Sequence, residues 1–125
     1  MSKVIETKKA PAAVGPYSQG IITGNLVFTS GQLPIIPESG ELISDDIEKA
    51  TERSLENVKE ILEEAGTSLD KTIKVNIFLI NMADFGKVNE IYSKYFKEHK
   101  PARSCVEVSN LPKNGIIEIE AIAEI

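Results

Sequence analysis

Small and apolar residues return at three-and-four spacing through Ile47, Ala50, Ser54, Leu55, Val58, Ile61, Leu62 and Ala65. That period draws one stripe along a helix and predicts a helix over 44–65. Ser44 stands where a cap belongs, Asp45 and Asp46 complement the dipole of the first turn, and Gly66 is a natural stop. At Thr72 the period changes to two. Over 72–80, Ile73, Val75, Ile77 and Leu79 fall on one face of a strand, and Lys74, Asn76, Phe78 and Ile80 on the other. Helical spacing resumes over 84–96 through Phe85, Val88, Ile91, Tyr92, Tyr95 and Phe96. Two more strands follow at 101–108 and 116–123, with a turn-like stretch between them. Ahead of the first helix, 4–7, 19–23 and 26–29 read as strands. The Gly24-Asn25 pair joins the last two as a hairpin.

The order β-β-β-α-β-α-β-β lets two amphipathic helices cover one face of a single mixed sheet, an α+β fold in one domain over 1–125. Alternation on the last two strands suggests which side chains meet the helices. We assign Ala102, Ser104, Val106 and Val108, with Ile117, Ile119, Ala121 and Ala123, to the helix side. Arg103, Cys105, Glu118, Phe78 and Ile122 then share the opposite face. That mixture is too apolar for plain solvent and predicts contact with another subunit.

Composition removes several chemistries. The chain has 125 residues, 42% hydrophobic and 26% charged, with a formal net charge of -5. No basic run supports nucleic-acid binding. No apolar stretch approaches the roughly 20 residues of a membrane helix. The N-terminus carries no signal-like core, so a cytoplasmic location is expected. One cysteine and one histidine make neither an internal disulfide nor a usual zinc site. A serine-histidine-acid triad would need His99, and no nucleophile-elbow motif accompanies it. Phosphate- and dinucleotide-binding glycine loops are absent from the sequence. No metal or organic cofactor is expected.

What chemistry remains lies near the C-terminus. The planar fork of Arg103 matches a carboxylate through two parallel hydrogen bonds. From spacing alone, an ion pair with Glu107, Glu118 or Glu120 is the commoner reading. Glu118 can act as a base toward water if partial burial raises its proton affinity; otherwise it is a solvated strand charge. Cys105 is either a reactive thiol or an inert buried one. Tyr17 follows Gly15-Pro16 on a loop and either closes a pocket or simply packs. Ser30-Gly31 permits close backbone approach or merely turns the chain. Asn89 reaches a pocket from the second helix or faces solvent.

Four stretches together resemble one family. They are Ala10-Pro11-Ala12-Ala13-Val14-Gly15-Pro16-Tyr17-Ser18-Gln19-Gly20, Phe28-Thr29-Ser30-Gly31-Gln32-Leu33-Pro34, Ser54-Leu55-Glu56-Asn57-Val58, and the whole of 101–123. In this order they are similar to the Rid family of reactive intermediate deaminases (the RidA/YjgF group), over essentially the full length.

The resemblance implies a chorismate-mutase-like homotrimer with sites in clefts between subunits and no cofactor. It implies hydrolysis of 2-enamine and 2-imino acids, such as 2-aminoacrylate and 2-iminobutanoate, to 2-keto acids and ammonia. Arg103 then corresponds to the carboxylate-binding arginine and Glu118 to the water-positioning glutamate. Cys105 supplies a backbone contact, and Tyr17, Ser30, Gly31 and Asn89 line the cleft. The short Glu98-His99-Lys100 stretch departs from members that insert residues there, which leaves the preferred side-chain length open. Two other readings stand beside this one: a small-carboxylate sensor that does not turn over its ligand, and a protein-interaction or holdase module.

Overall fold

Each predicted segment forms, with its ends moved by a few residues, in a computed structural model that describes residues 2–125. Residue 1, the start of the expected domain and of the N-terminal stretch read above, lies outside them. The elements are β1 (Ser2–Ile5), β2 (Gly20–Thr23), β3 (Leu26–Thr29), α1 (Ile47–Glu64), β4 (Thr72–Leu79), α2 (Phe85–Tyr95), β5 (Ala102–Glu107) and β6 (Ile117–Glu124). They build one mixed sheet in the order β1-β2-β3-β6-β4-β5.

Local chemistry sets the boundaries. At the hairpin between β2 and β3, Gly24 takes φ 58°, a conformation without penalty only for glycine. Helix α1 is capped by Asp46, whose carboxylate accepts from the Lys49 N–H at 3.0 Å. Ser44 does not cap it, because it lies two residues ahead of the position whose side chain can reach the first turn. At the other end Gly66 takes φ 90°. There the Gly66 and Thr67 N–H groups donate to Glu63 and Leu62, satisfying the last carbonyls.

Topology explains why both helices lie on one side. β4 and β5 pair in parallel, so a crossover must join them, and α2 supplies it. β3 and β4 each pair antiparallel with β6, which lies between them, so they too run parallel and α1 is their crossover. Both connections step in the same direction along the sheet. A single crossover handedness therefore puts both helices on the same face. Beneath them Leu55, Val58 and Leu62 pack with Val27, Val75, Ile77, Leu79, Ile117 and Ile119, all essentially buried. Gly20 lets α1 come close: a β-carbon there would lie 2.9 Å from the Ile61 side chain.

Two face assignments change. A register shift between Thr72 and Lys74 reverses the start of β4, burying Thr72 and leaving Ile73 39% exposed. More consequential is β5. Val75 pairs with Arg103 and Ile77 with Cys105, and Val75 and Ile77 are core residues. Arg103 and Cys105 therefore project to the helix side, not to the open face. Ala102, Ser104 and Val106 take the open face, Val106 beside Phe78. The physical reason is that β5 is an edge strand: only α2 reaches over it, and a polar set can sit at that margin without entering the core. Glu118 pairs with Phe78 on the open face, as expected, with Phe28 and Ile122 two rungs further on. Arg103 and Glu118 are thus not held on one sheet face.

Candidate active site

The sheet separates the candidate residues into two groups. On the helix side, the Arg103 Nη1–H donates to Asn89 Oδ1 at 2.8 Å. The guanidinium lies 4.6 Å from the ring centre of Tyr92 and 5.4 Å from that of Phe85. Among the described residues, ion pairs within 4 Å run from Lys59 to Glu56 and Glu63, and none involves Arg103. The ion-pair reading of Arg103 is therefore not realised within the chain. An arginine held by rings and an amide, with its charge uncompensated, is prepared for an external anion. Cys105 lies on the same face, half-buried. Burial raises its thiol above the usual range and Arg103 only partly offsets this, which disfavours the nucleophilic thiolate.

On the open side the second group gathers around Glu118. Gly31 touches it so closely that a β-carbon there would stand 2.7 Å from Glu118 Cδ. The contact follows from Gln32, which exchanges backbone hydrogen bonds with Ile119 at 2.7 and 3.1 Å and so lays the 30–34 segment along β6. Ser30 precedes it, its hydroxyl donating to Ser18 O at 2.5 Å and its N–H to Gln19 O at 2.8 Å. Tyr17 is the next residue back along this arm and is 53% exposed. Burial, and then the negative charge of Glu120, raise the proton affinity of Glu118 above the ordinary carboxylate range. Glu120 itself accepts from Asn76 Nδ2 at 3.0 Å. Among the described residues Glu118 has no comparable side-chain donor.

Sequence reasoning missed two amides that hold this arrangement. Buried Gln19 accepts from the Thr7 N–H and donates to the carbonyls of Thr7, Ala10 and Pro11, fixing the arm that carries Tyr17. Buried Asn57 donates from α1 to the carbonyls of Leu33 and Ile35 while accepting from Arg53. The clue to Asn57 was a polar residue between Leu55 and Val58 on the buried side of a helix. A groove of about 870 Å³ runs between the arm and β1, lined in part by Glu6, Lys8, Tyr17 and Gln19. Neither Arg103 nor Glu118 lines it. Among the described residues no cluster of histidine, cysteine, aspartate and glutamate forms a metal site, and no helix is long and apolar enough to cross a membrane.

The chain has close relatives in sequence and fold. The family model described as Endoribonuclease L-PSP matches residues 7–125. A RutC family protein of Pyrococcus abyssi is 56% identical over 97% of this chain and 95% of its own. The chloroplastic Reactive Intermediate Deaminase A of Arabidopsis thaliana is 51% identical over 97% of this chain and 65% of its own. The crystal structure of Escherichia coli TdcF with bound serine superposes with a TM-score of 0.94 at 48% identity, covering 98% of both chains. With the family model covering nearly its whole length and such relatives alongside, the chain belongs to the Rid family that its four sequence stretches resemble.

Proposed function

We propose that this protein hydrolyses small 2-imino acids, and their enamine tautomers, to 2-keto acids and ammonia, at sites shared between copies of the chain. The observation that carries the reading is the uncompensated Arg103 fork, presented by Asn89 and two rings on one side of a sheet whose other side holds a half-buried Glu118 of raised proton affinity. A relative bears the name of a reactive intermediate deaminase, and TdcF was crystallised with serine, a small molecule with a carboxylate for such a fork.

The chemistry asks little of the protein. Arg103 fixes the substrate carboxylate. Glu118 takes a proton from water as the oxygen bonds to C2, and the C=N electron pair moves to nitrogen, which then receives that proton from Glu118. In the resulting carbinolamine the hydroxyl proton passes through Glu118 to the amino group, which leaves as ammonia as the keto C=O forms. Orientation and one general base suffice for a reaction that already proceeds in water. Because Arg103 and Glu118 leave opposite faces of the sheet, one chain cannot bring both to one substrate. A second copy covering the open face, where Phe28, Phe78, Val106 and Ile122 lie, supplies the missing half. The family resemblance implies three copies.

The test is ammonia release from freshly generated 2-iminobutanoate and 2-iminopropanoate. Wild type accelerates it and Arg103→Ala loses roughly 100-fold in kcat/KM, the value of a bidentate charged hydrogen-bond pair. Equal rates for the two proteins would sink the reading. Calorimetric binding of 2-oxobutanoate without any turnover would instead favour a sensor.

A further inference from the structure

We infer that Tyr92 and Phe85 are positioning residues that present Arg103, so that α2 sets how tightly the anion is held. This deepens the proposed function and rests on Arg103 being its carboxylate clamp.

Arginine is a poor clamp when free. Its long stem loses rotamer freedom on binding, a cost set against every contact the fork makes. β5 adds to the difficulty, since an edge strand has a neighbour on one side only. The structure compensates from above. Phe85, Asn89, Tyr92 and Phe96 are spaced i, i+4, i+7 and i+11, which places them on one side of α2 and its C-terminal cap. Asn89 takes one N–H of the fork. Two rings lie within cation–π range of the guanidinium carbon. Phe96 backs Tyr92, with ring centres 4.7 Å apart.

The state of Tyr92 indicates which part of it matters. Its side chain is buried at 7% exposure, and its hydroxyl has no hydrogen-bond partner among the described residues. A buried unpaired hydroxyl costs stability rather than adding to it. The contact Tyr92 makes with Arg103 within the chain is through its ring, 4.6 Å from the guanidinium carbon. What it contributes to the site is its ring face. No acidic side chain does the same job, and that matters chemically: a carboxylate partner would fix Arg103 but compete with the substrate, whereas an aromatic face fixes it and leaves the charge available.

The experiment compares wild type, Tyr92→Phe, Tyr92→Leu and Phe85→Leu in imine hydrolysis and in calorimetric binding of 2-oxobutanoate. Tyr92→Leu raises KM and the keto-acid Kd about tenfold, within the range of a partly desolvated cation–π contact, while kcat changes much less. Tyr92→Phe keeps the ring and recovers the wild-type Kd, with thermal stability equal or higher. Half-buried Phe85→Leu shifts Kd in the same direction and reports even if Tyr92→Leu fails to fold. A wild-type Kd in both leucine variants, or a Tyr92→Phe protein as weak as Tyr92→Leu, overturns the inference alone. Wild type that neither binds the keto acid nor releases ammonia overturns the proposed function, and this inference with it.

Discussion

Arg103 and Glu118 stand on opposite faces of one sheet with β4 between their strands, so the proposed clamp and the proposed base of a single chain point away from each other. Each has its own supports. Asn89 and Tyr92 hold Arg103, while Gly31 and the 30–34 segment lie against Glu118. A reaction that needs both must take one from each of two copies.

That geometry predicts complementation between dead proteins. Arg103→Ala and Glu118→Gln are each expected to be nearly inactive. When they are unfolded and refolded together, random pairing gives about one quarter of the sites both native residues, since each site draws from two subunits. Recovery of activity near that fraction is expected in the ammonia assay. A mixture as inactive as its parents would mean that both residues serve a site from one chain.

The raised proton affinity of Glu118 has consequences for both rate and stability. Burial, and then Glu120, disfavour its charged form, so the acid limb of kcat/KM lies above the ordinary glutamate range. Glu120→Gln removes the second cause and moves that limb to lower pH. Stability carries the matching sign. Between the unfolded and folded values the native state holds the proton and the unfolded state does not, so stability falls as pH rises through that window. Glu118→Gln, which cannot ionise, is expected to be more stable than wild type at neutral pH, with the gap closing below the unfolded carboxylate range. Urea titrations at pH 3.5 and 7 read this directly; a gap independent of pH would contradict the assignment.

Gly31→Ala tests the contact rather than the charge. The added carbon would meet Glu118 Cδ at 2.7 Å, so the carboxylate must swing aside. A displacement on the order of 1 Å at a reacting group can cost roughly 100-fold in rate. The expected outcome is a fall of that size in kcat with wild-type secondary structure by circular dichroism. An unchanged kcat would show that Glu118 need not stay where it is.

Asn57→Ala leaves the Ile35 carbonyl without a donor beneath a well-packed helix, and the Leu33 carbonyl with only the Ile35 N–H. An unsatisfied buried group costs about 1–3 kcal/mol, so a loss of about 2 kcal/mol in urea unfolding is expected. A loss below about 1 kcal/mol would mean that water takes over both bonds.

Much of the fold was legible in the chain, because hydrophobic period is a local property. The change from helical to alternating spacing at Thr72 marks β4, and Gly24-Asn25 marks the hairpin. The face of β5 was not legible. The apolar-inward rule assigned Ala102, Ser104 and Val106 to the helices, yet the parallel register with β4 sends Arg103 and Cys105 there. Register is set by long-range pairing, and where a face is reserved for a ligand, the polar set can be the inward one. The cap moved from Ser44 to Asp46 and Thr72 displaced Ile73 for similar reasons: each depends on where backbone geometry starts or slips, which composition does not encode. Asn89 was legible as a candidate, but the aromatic faces of Tyr92 and Phe85 read simply as core.

The Gln19 amide, bonded to the backbone at Thr7, Ala10 and Pro11, closes a loop of twelve residues with one buried side chain. Closing a loop of that length costs entropy, and here the cost is met while the chain folds, before any partner arrives. A second copy of the kind the proposed function calls for would therefore meet the Tyr17 arm already ordered, rather than as a tail that must freeze on contact. Assembly can then proceed without an added ordering penalty, and dilution should separate the copies before it loosens the arm.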